Sequence, residues 1–246
     1  ESGEEALKIA RAFSLREWTL LIFTGLSFTA LGFGGMFLAG GKIGPGLATV
    51  LANLQPLMAA VLARFLLNEN LNSARITGLG VAFAGILFIA SPAFFTNESS
   101  DGIEGILFVL MGALGTALGN IGLKKVGAFS PPLLAAGLQF LIGGLALLFA
   151  SYVLEADATI QWSAAFIVSL LVLSFLGTAL ATVLWLGLLA RHPLNRVNLF
   201  SYLAPIFAMI IGVAFFAERP GPWEIVGIAF IIFGILFGVR RRAASG

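Results

Sequence analysis

The sequence predicts an all-α integral membrane protein with eight transmembrane helices, the remnant of a ten-helix, inverted five-helix repeat. Three observations predict it: composition, the spacing of apolar stretches, and an internal repeat. Of 246 residues, 59% are hydrophobic and 11% charged, with a mean hydropathy of +1.02. A soluble domain averages roughly 45–50% apolar and about 25% charged. So small a charged fraction cannot solvate a globule of this size in water. A bilayer core of roughly 30 Å is crossed by about 20 apolar residues in a helix. Transmembrane β-strands are shorter and alternate in polarity; no such alternation occurs here.

The elements follow in chain order. Residues 1–17 form a polar, helix-prone segment without the apolar core of a signal peptide. Apolar spans are then expected near 18–38, 46–67, 75–95, 103–126, 131–153, 164–189, 196–217 and 223–239. Gly40-Gly41, Gly44-Pro45, Pro131-Pro132, Pro193 and Pro220-Gly221-Pro222 mark the joints. Lysine and arginine set the orientation. With the N-terminus inside, Lys8, Arg11, Arg16, Arg75, Lys124, Lys125, Arg191, Arg196 and Arg240 to Arg242 all fall inside, and only Lys42 and Arg219 outside. Both termini are therefore expected in the cytoplasm. Arg64, one turn from that edge, is expected to snorkel.

The sequence also repeats itself. Shifted by 149 positions, Thr29-Ala30-Leu31 falls on Thr178-Ala179-Leu180, and Leu54 and Pro56 fall on Leu203 and Pro205. Glu69 falls on Glu218, Gly78 on Gly227, and Gly85-Ile86-Leu87-Phe88 on Gly234-Ile235-Leu236-Phe237. Matched apolar residues mean little between membrane helices, but a proline, a glutamate and spaced glycines in one ungapped register mean more. The first three spans thus recur as the last three. Matched spans lie an odd number of helices apart, so they cross the bilayer in opposite senses. Inverted repeats characterise secondary transporters, whose sites lie near the midplane between the halves. The domains expected are a cytoplasmic segment 1–17, a three-helix first repeat 18–95 and a five-helix second repeat 102–242. The first repeat then lacks two helices, and the polar start at Glu1 is read as the loop that follows them.

Asn53-Leu54-Gln55-Pro56-Leu57-Met58, then Leu66-Leu67-Asn68-Glu69 and Gly78…Gly85-Ile86-Leu87 resemble the half-repeat of EamA-type transporters, in the drug/metabolite transporter superfamily. Tyr202-Leu203-Ala204-Pro205, Ala217-Glu218, Trp223, Gly227 and Gly234-Ile235-Leu236 resemble its second copy. The resemblance spans residues 18–242. It implies ten helices in two inverted halves and the export of amino acids, other metabolites or toxic compounds; relatives carry sugars or nucleotide sugars. Two departures stand out: Asn68 and Ala217 occupy the position before the motif glutamate where glycine is frequent, and two helices that help line the cavity are absent.

Polar side chains at mid-span are costly in lipid and call for a reason. Thr49 and Asn53 lie four apart, hence on one helical face; their repeat mates Asn198 and Tyr202 do too. With Gln55 and Asn120 they are the candidate substrate-binding residues. The competing role for each is interhelical bonding, about 0.6 kcal/mol on average. Thr116 sits four residues before Asn120, Gln139 is a weaker candidate, and Trp185 is either a cavity wall or, the more usual case, a lipid-facing or packed tryptophan. Pro56 and Pro205 are a candidate paired hinge, or else static kinks. Glu69 and Glu218 are expected to accept backbone N–H groups at a helix start and order the turns into the third and eighth spans. Gly78, Gly85, Gly227 and Gly234, seven apart within each helix, are expected to allow close packing of those two helices on each other or on a partner subunit.

Function classes narrow accordingly. There is no cysteine and one histidine, His192, which excludes disulfides and thiolate or polyhistidine metal sites. No GxxxxGK[ST] loop occurs, so ATP-driven pumping is unsupported. A membrane enzyme would need histidines or acids clustered at one interface, and they are scattered. The expected function is a secondary transporter of small organic metabolites, neutral or zwitterionic and amino-acid-like, working by alternating access; the resemblance implies export and a bacterial cytoplasmic membrane as the setting. No cofactor, catalytic residue, metal or nucleic-acid partner is expected. The partners expected are a small-molecule substrate and the lipid bilayer, with a second copy in a homodimer as a further option. The alternative is a non-transporting scaffold or assembly subunit.

Overall fold

The computed structural model describes residues 3–94, 102–155, 160–216 and 221–239. Glu218 and Arg240 to Arg242 lie outside them. Among the described residues there is no strand. A short helix α1 (Gly3–Arg11) precedes the bundle. Ser14 and Glu17 then form a reciprocal capping box, an S-x-x-E signature that satisfies two free N–H groups at a helix start. It moves the start of the first span to Leu15, earlier than expected.

The bundle consists of α2 (Leu15–Leu38), α4 (Ser73–Phe94), α5 (Ile103–Val126), α6 (Pro132–Leu154), α7 (Ala164–Arg191) and α9 (Pro222–Val239), plus two interrupted rods. The first is α3a (Pro45–Ala52) followed by α3b (Gln55–Leu66); the second is α8a (Leu194–Ser201) followed by α8b (Ala204–Phe216). Among the described residues seven helices are long and apolar enough to cross a membrane, and the apolar helix Pro222–Gly238 is shorter.

The sequence reading of the second and seventh spans as continuous helices is corrected here. Asn53 caps α3a, turning its own side chain back so that Nδ2 donates to the Thr49 carbonyl at 2.8 Å. Pro56 then sits in the first turn of α3b, where a missing N–H costs nothing because that N–H has no intrahelical partner. Pro205 is likewise the second residue of α8b. The prolines therefore start new segments; they do not kink continuous ones. The breaks at 53–54 and 202–203 differ by 149 residues, the offset of the sequence repeat. Each of the two rods before them also relaxes into a π-helical stretch, Leu26–Phe33 in α2 and Leu173–Leu180 in α7. In the second, the Thr178 hydroxyl donates to the carbonyl of Leu173, five residues back. π-Segments of this kind are rare inside helices and concentrate at functional positions.

Glycine decides the packing. α4 and α9 lie antiparallel against each other: a Cβ on Gly78 would stand 2.6 Å from the Gly234 carbonyl oxygen, and one on Gly85 2.6 Å from that of Gly227. The four glycines of the sequence are thus spent on one internal seam. α2 is seated on α5 and α6 in the same way, with Gly35 against the Phe108 carbonyl and Gly25 against that of Gln139, each at 2.6 Å. With lipid on the outside there is no hydrophobic force between helices, so close backbone approach and dispersion hold them.

The two ends of the bundle are chemically distinct. At one, Lys42 pairs with Glu104 at 2.5 Å. At the other lie Lys124, His192 and Arg196, together with an edge-to-face contact between Phe13 and Phe129. Arg64, in the last turn of α3b, is exposed there.

Candidate functional site

A cavity of about 310 Å³ lies at mid-height between α2, α3b, α5, α7 and α8a. Phe28 and Phe33 come from the π-stretch of α2, Gly177 and Thr178 from that of α7. Gln55 enters at the break in α3, Ser201 at the break in α8, and Thr116 and Asn120 from α5. Every irregular piece of backbone in the bundle thus meets the cavity. That is where membrane proteins tolerate it, because water or a solute can satisfy what the helix does not.

Among the described residues the lining carries no ionisable side chain. Its polar groups are mostly engaged. Trp185 Nε1 donates to Asn120 Oδ1 at 2.7 Å, while Thr116 and Ser201 hydroxyls donate to the carbonyls of Gly112 and Asn198. Gln55 differs: its Nε2 is buried with no hydrogen-bond partner among the described residues. A solute in the cavity would meet aromatic faces on two sides and a hydroxyl-lined wall, while Gln55 Nε2 lies covered at the edge of that lining.

The candidate residues separate on inspection. Gln55 and Asn120 line the cavity; Asn53, Thr49, Asn198 and Tyr202 do not. Tyr202 is fully buried in an apolar cluster with Leu79, Ile86 and Ile231. Its hydroxyl donates to the backbone carbonyl of Asn53 at 3.2 Å, so the repeat mates meet each other and tie the two breaks together. The carbonyl is available because the helix stops there. Asn198 is also fully buried, and neither of its side-chain polar atoms has a hydrogen-bond partner among the described residues. Gln139 accepts from Thr29 at 2.9 Å and joins α6 to α2, away from the cavity. Trp185 is the residue the sequence undervalued. Nothing in its flanking residues tells which way the ring points, and only the rotation of α7 brings it onto Asn120.

Glu69 corrects a second expectation. Its carboxylate accepts from the N–H groups of Leu194 at 2.6 Å and Asn195 at 3.1 Å. The helix start it serves is that of α8a, in the other repeat, and not that of the adjoining α4. Asn68 presents it from a left-handed turn, φ +53°. Asparagine tolerates that conformation best after glycine, which accounts for the departure from the motif at this position. Ala217 and Glu218, the corresponding pair, lie outside the described residues.

Comparison with known proteins agrees with this architecture. A family model described as the EamA-like transporter family matches residues 6–91 and 103–240. A protein named "Probable amino-acid metabolite efflux pump" from Salmonella typhimurium is 28% identical over 242 residues, covering 92% of this chain and 79% of its own. "WAT1-related protein At3g02690, chloroplastic" from Arabidopsis thaliana is 29% identical over 208 residues, 81% of this chain and 50% of its own. The "Uncharacterized transporter YvbV" of Bacillus subtilis is 26% identical over 92% of this chain and 73% of its own. The chain thus spans half the length of the plant relative and roughly three quarters of the bacterial ones. A solved crystal structure matches with a TM-score of 0.74 at 17% identity, covering 92% of this chain and 89% of the other, a likeness of fold.

Proposed function

The chain belongs to the EamA-like transporter family, and from that premise we propose that it carries a small neutral or zwitterionic, amino-acid-like solute across a membrane by alternating access. One observation carries the reading: a mid-height cavity without ionisable lining, built where both π-stretches and both helix breaks converge. A fixed charge there would favour an ion of opposite sign, and none lines the cavity among the described residues. The bias of lysine and arginine toward the Lys124 end supports placing that end, and both termini, in the cytoplasm. Export from a bacterial cytoplasmic membrane is the direction and setting proposed; the relative named as a probable amino-acid metabolite efflux pump supports it.

The division into a three-helix and a five-helix repeat belongs to the same reading. α2 is clasped by α5 and α6, whereas its repeat mate α7 buries no side chain over Ala164–Leu180. Lys42 meets Glu104, and the residue 149 positions on from Lys42 is the exposed Arg191. The second repeat offers a seat for two helices equivalent to α5 and α6, and the expectation that the first repeat lacks two helices fits that seat.

The test is counterflow in proteoliposomes containing the full-length gene product, with labelled neutral amino acids, dicarboxylates, sugars and nucleotide sugars. Saturable exchange of neutral or zwitterionic compounds supports the proposal. Exchange confined to polyanions refutes the substrate class, and no exchange across the panel refutes amino-acid-like transport.

A further inference from the structure

The mid-height cavity is uncharged, yet it does not offer donors and acceptors equally. Three of its hydroxyls are committed to their own helices. Thr116 donates to the Gly112 carbonyl at 2.9 Å, Thr178 to that of Leu173 at 2.9 Å, and Ser201 to that of Asn198 at 2.7 Å. A carbonyl can only accept, so the proton of each hydroxyl lies on that bond and the oxygen has lone pairs alone for any other partner. The indole N–H of Trp185 is likewise spent on Asn120 Oδ1, so the aromatic ring is what Trp185 brings to the cavity. Phe28 and Phe33, edge to face with centroids 5.9 Å apart, add two more rings and no hydrogen-bonding atom.

The side chains that still carry a donor are withdrawn. Asn120 is 3% exposed and Thr182 8%, and Gln55 Nε2 is covered, whereas Thr116, Thr178 and Ser201 are half-buried. The backbone does not restore the balance. Each break sets a helix C-terminus, at Ala52 or Ser201, beside the N-terminus of the next segment, at Gln55 or Ala204, so opposite ends of the helix dipoles largely cancel there. Among the described residues the reachable lining is thus acceptor oxygen and aromatic ring. Both favour positive charge: the lone pairs take N–H donors, and the negative face of a ring attracts a cation within about 6 Å of its centroid. A carboxylate gains from neither.

We propose that this lining is a subsite for the ammonium group of the solute, and that the substrate class extends from amino acids to amines of similar size that carry no carboxylate. A primary ammonium brings three N–H donors and a positive charge. Thr116, Thr178 and Ser201 offer oxygens to those donors, and Phe28, Phe33 and Trp185 offer rings to that charge. Hydrogen bonds from a charged donor are about twice as strong as neutral ones, which offsets part of the cost of taking the ammonium out of water. Gln55 and Asn120 are left to meet the remainder of the solute. The proposal rests on the transporter reading of the same cavity.

The test is isothermal titration calorimetry of the full-length protein in detergent, at neutral pH, with leucine, isoamylamine and isocaproate. The three share one side chain and differ in the charged groups they carry. Isoamylamine, with the ammonium alone, binds about tenfold or more tightly than isocaproate, with the carboxylate alone, the size of one charge-assisted hydrogen bond. Thr116→Val keeps the shape of the side chain, removes one acceptor oxygen, and weakens isoamylamine by about tenfold. Thr178→Val does the same from another helix and carries this arm if Thr116→Val fails to fold. Isocaproate binding as tightly as isoamylamine overturns the subsite, as does undiminished isoamylamine binding in the folded valine variants. If leucine binds and isoamylamine does not, the subsite fails and the transporter reading stands. If isoamylamine binds and leucine does not, the subsite stands and the amino-acid-like reading fails. If none of the three binds, the subsite is overturned, and the counterflow panel decides the transporter reading.

Discussion

Trp185→Phe isolates the bond that closes one wall of the cavity. The substitution keeps an aromatic ring on α7 and removes the indole N–H that reaches Asn120 Oδ1 at 2.7 Å. Asn120 is only 3% exposed, so water cannot readily replace the lost donor. A buried acceptor left unpaired costs about 1–3 kcal/mol. Asn120→Leu breaks the same bond from the other side and leaves the indole without an acceptor, at a similar cost. Replacing both partners leaves nothing unpaired. The double variant is therefore expected to be no less stable than either single one, with a coupling energy of about 1–3 kcal/mol, within the range for residues in contact. Denaturant unfolding of the four proteins in mixed micelles measures it. Additive losses, with coupling near zero, would refute the claim that this bond is made and buried.

Three further outcomes are expected. Gly85→Leu puts a branched chain where even a Cβ meets the Gly227 carbonyl at 2.6 Å, so α4 and α9 must separate; a loss of about 1–3 kcal/mol in micelle unfolding is expected, against little change for Gly80→Leu, whose Cβ position is open. Asn68→Gly is expected to leave thermal stability within about 0.5 kcal/mol of the parent, while Asn68→Val, forced to φ +53°, loses about 1–2 kcal/mol, read by the same unfolding assay. Thr29→Val alone removes the 2.9 Å donor to buried Gln139 and is expected to cost about 1–2 kcal/mol, whereas Thr29→Val with Gln139→Leu recovers most of it; a double variant as unstable as the sum of both single losses contradicts that assignment.

The parts of this architecture legible in the sequence are those set by spacing along the chain. Composition and span length gave the helical membrane class, and the 149-residue offset anticipated that whatever happens at Asn53 happens again at Tyr202. Gly78, Gly85, Gly227 and Gly234 announced a close seam because only a missing Cβ permits such approach. What stayed illegible depends on how each helix is rotated. In a chain that is apolar nearly all round, periodicity says little about which face looks inward. Tyr202 reads as a cavity residue by its polarity, yet its ring is needed to fill the space beside Leu79 and Ile231, and its hydroxyl finds the Asn53 carbonyl. Trp185 reads as a wall, a packed or a lipid-facing ring, and only the rotation of its helix brings it to the cavity. Glu69 was recognisable as a helix cap, but its partners lie 125 and 126 residues away, beyond any local pattern.

The central proposal is that the solute sits against Gln55 and Asn120, with Tyr202 joining the two helix breaks. The measurement that tests it most directly is the affinity of the exchanged solute for full-length protein carrying Gln55→Leu or Tyr202→Phe, by equilibrium binding in detergent. Gln55→Leu removes the unpartnered donor at the cavity and is expected to weaken binding about tenfold or more, the value of roughly 1.4 kcal/mol. Tyr202→Phe is expected to bind within about twofold of the parent while losing about 0.5–1.5 kcal/mol of stability. Binding that survives Gln55→Leu and is lost in Tyr202→Phe would contradict the account.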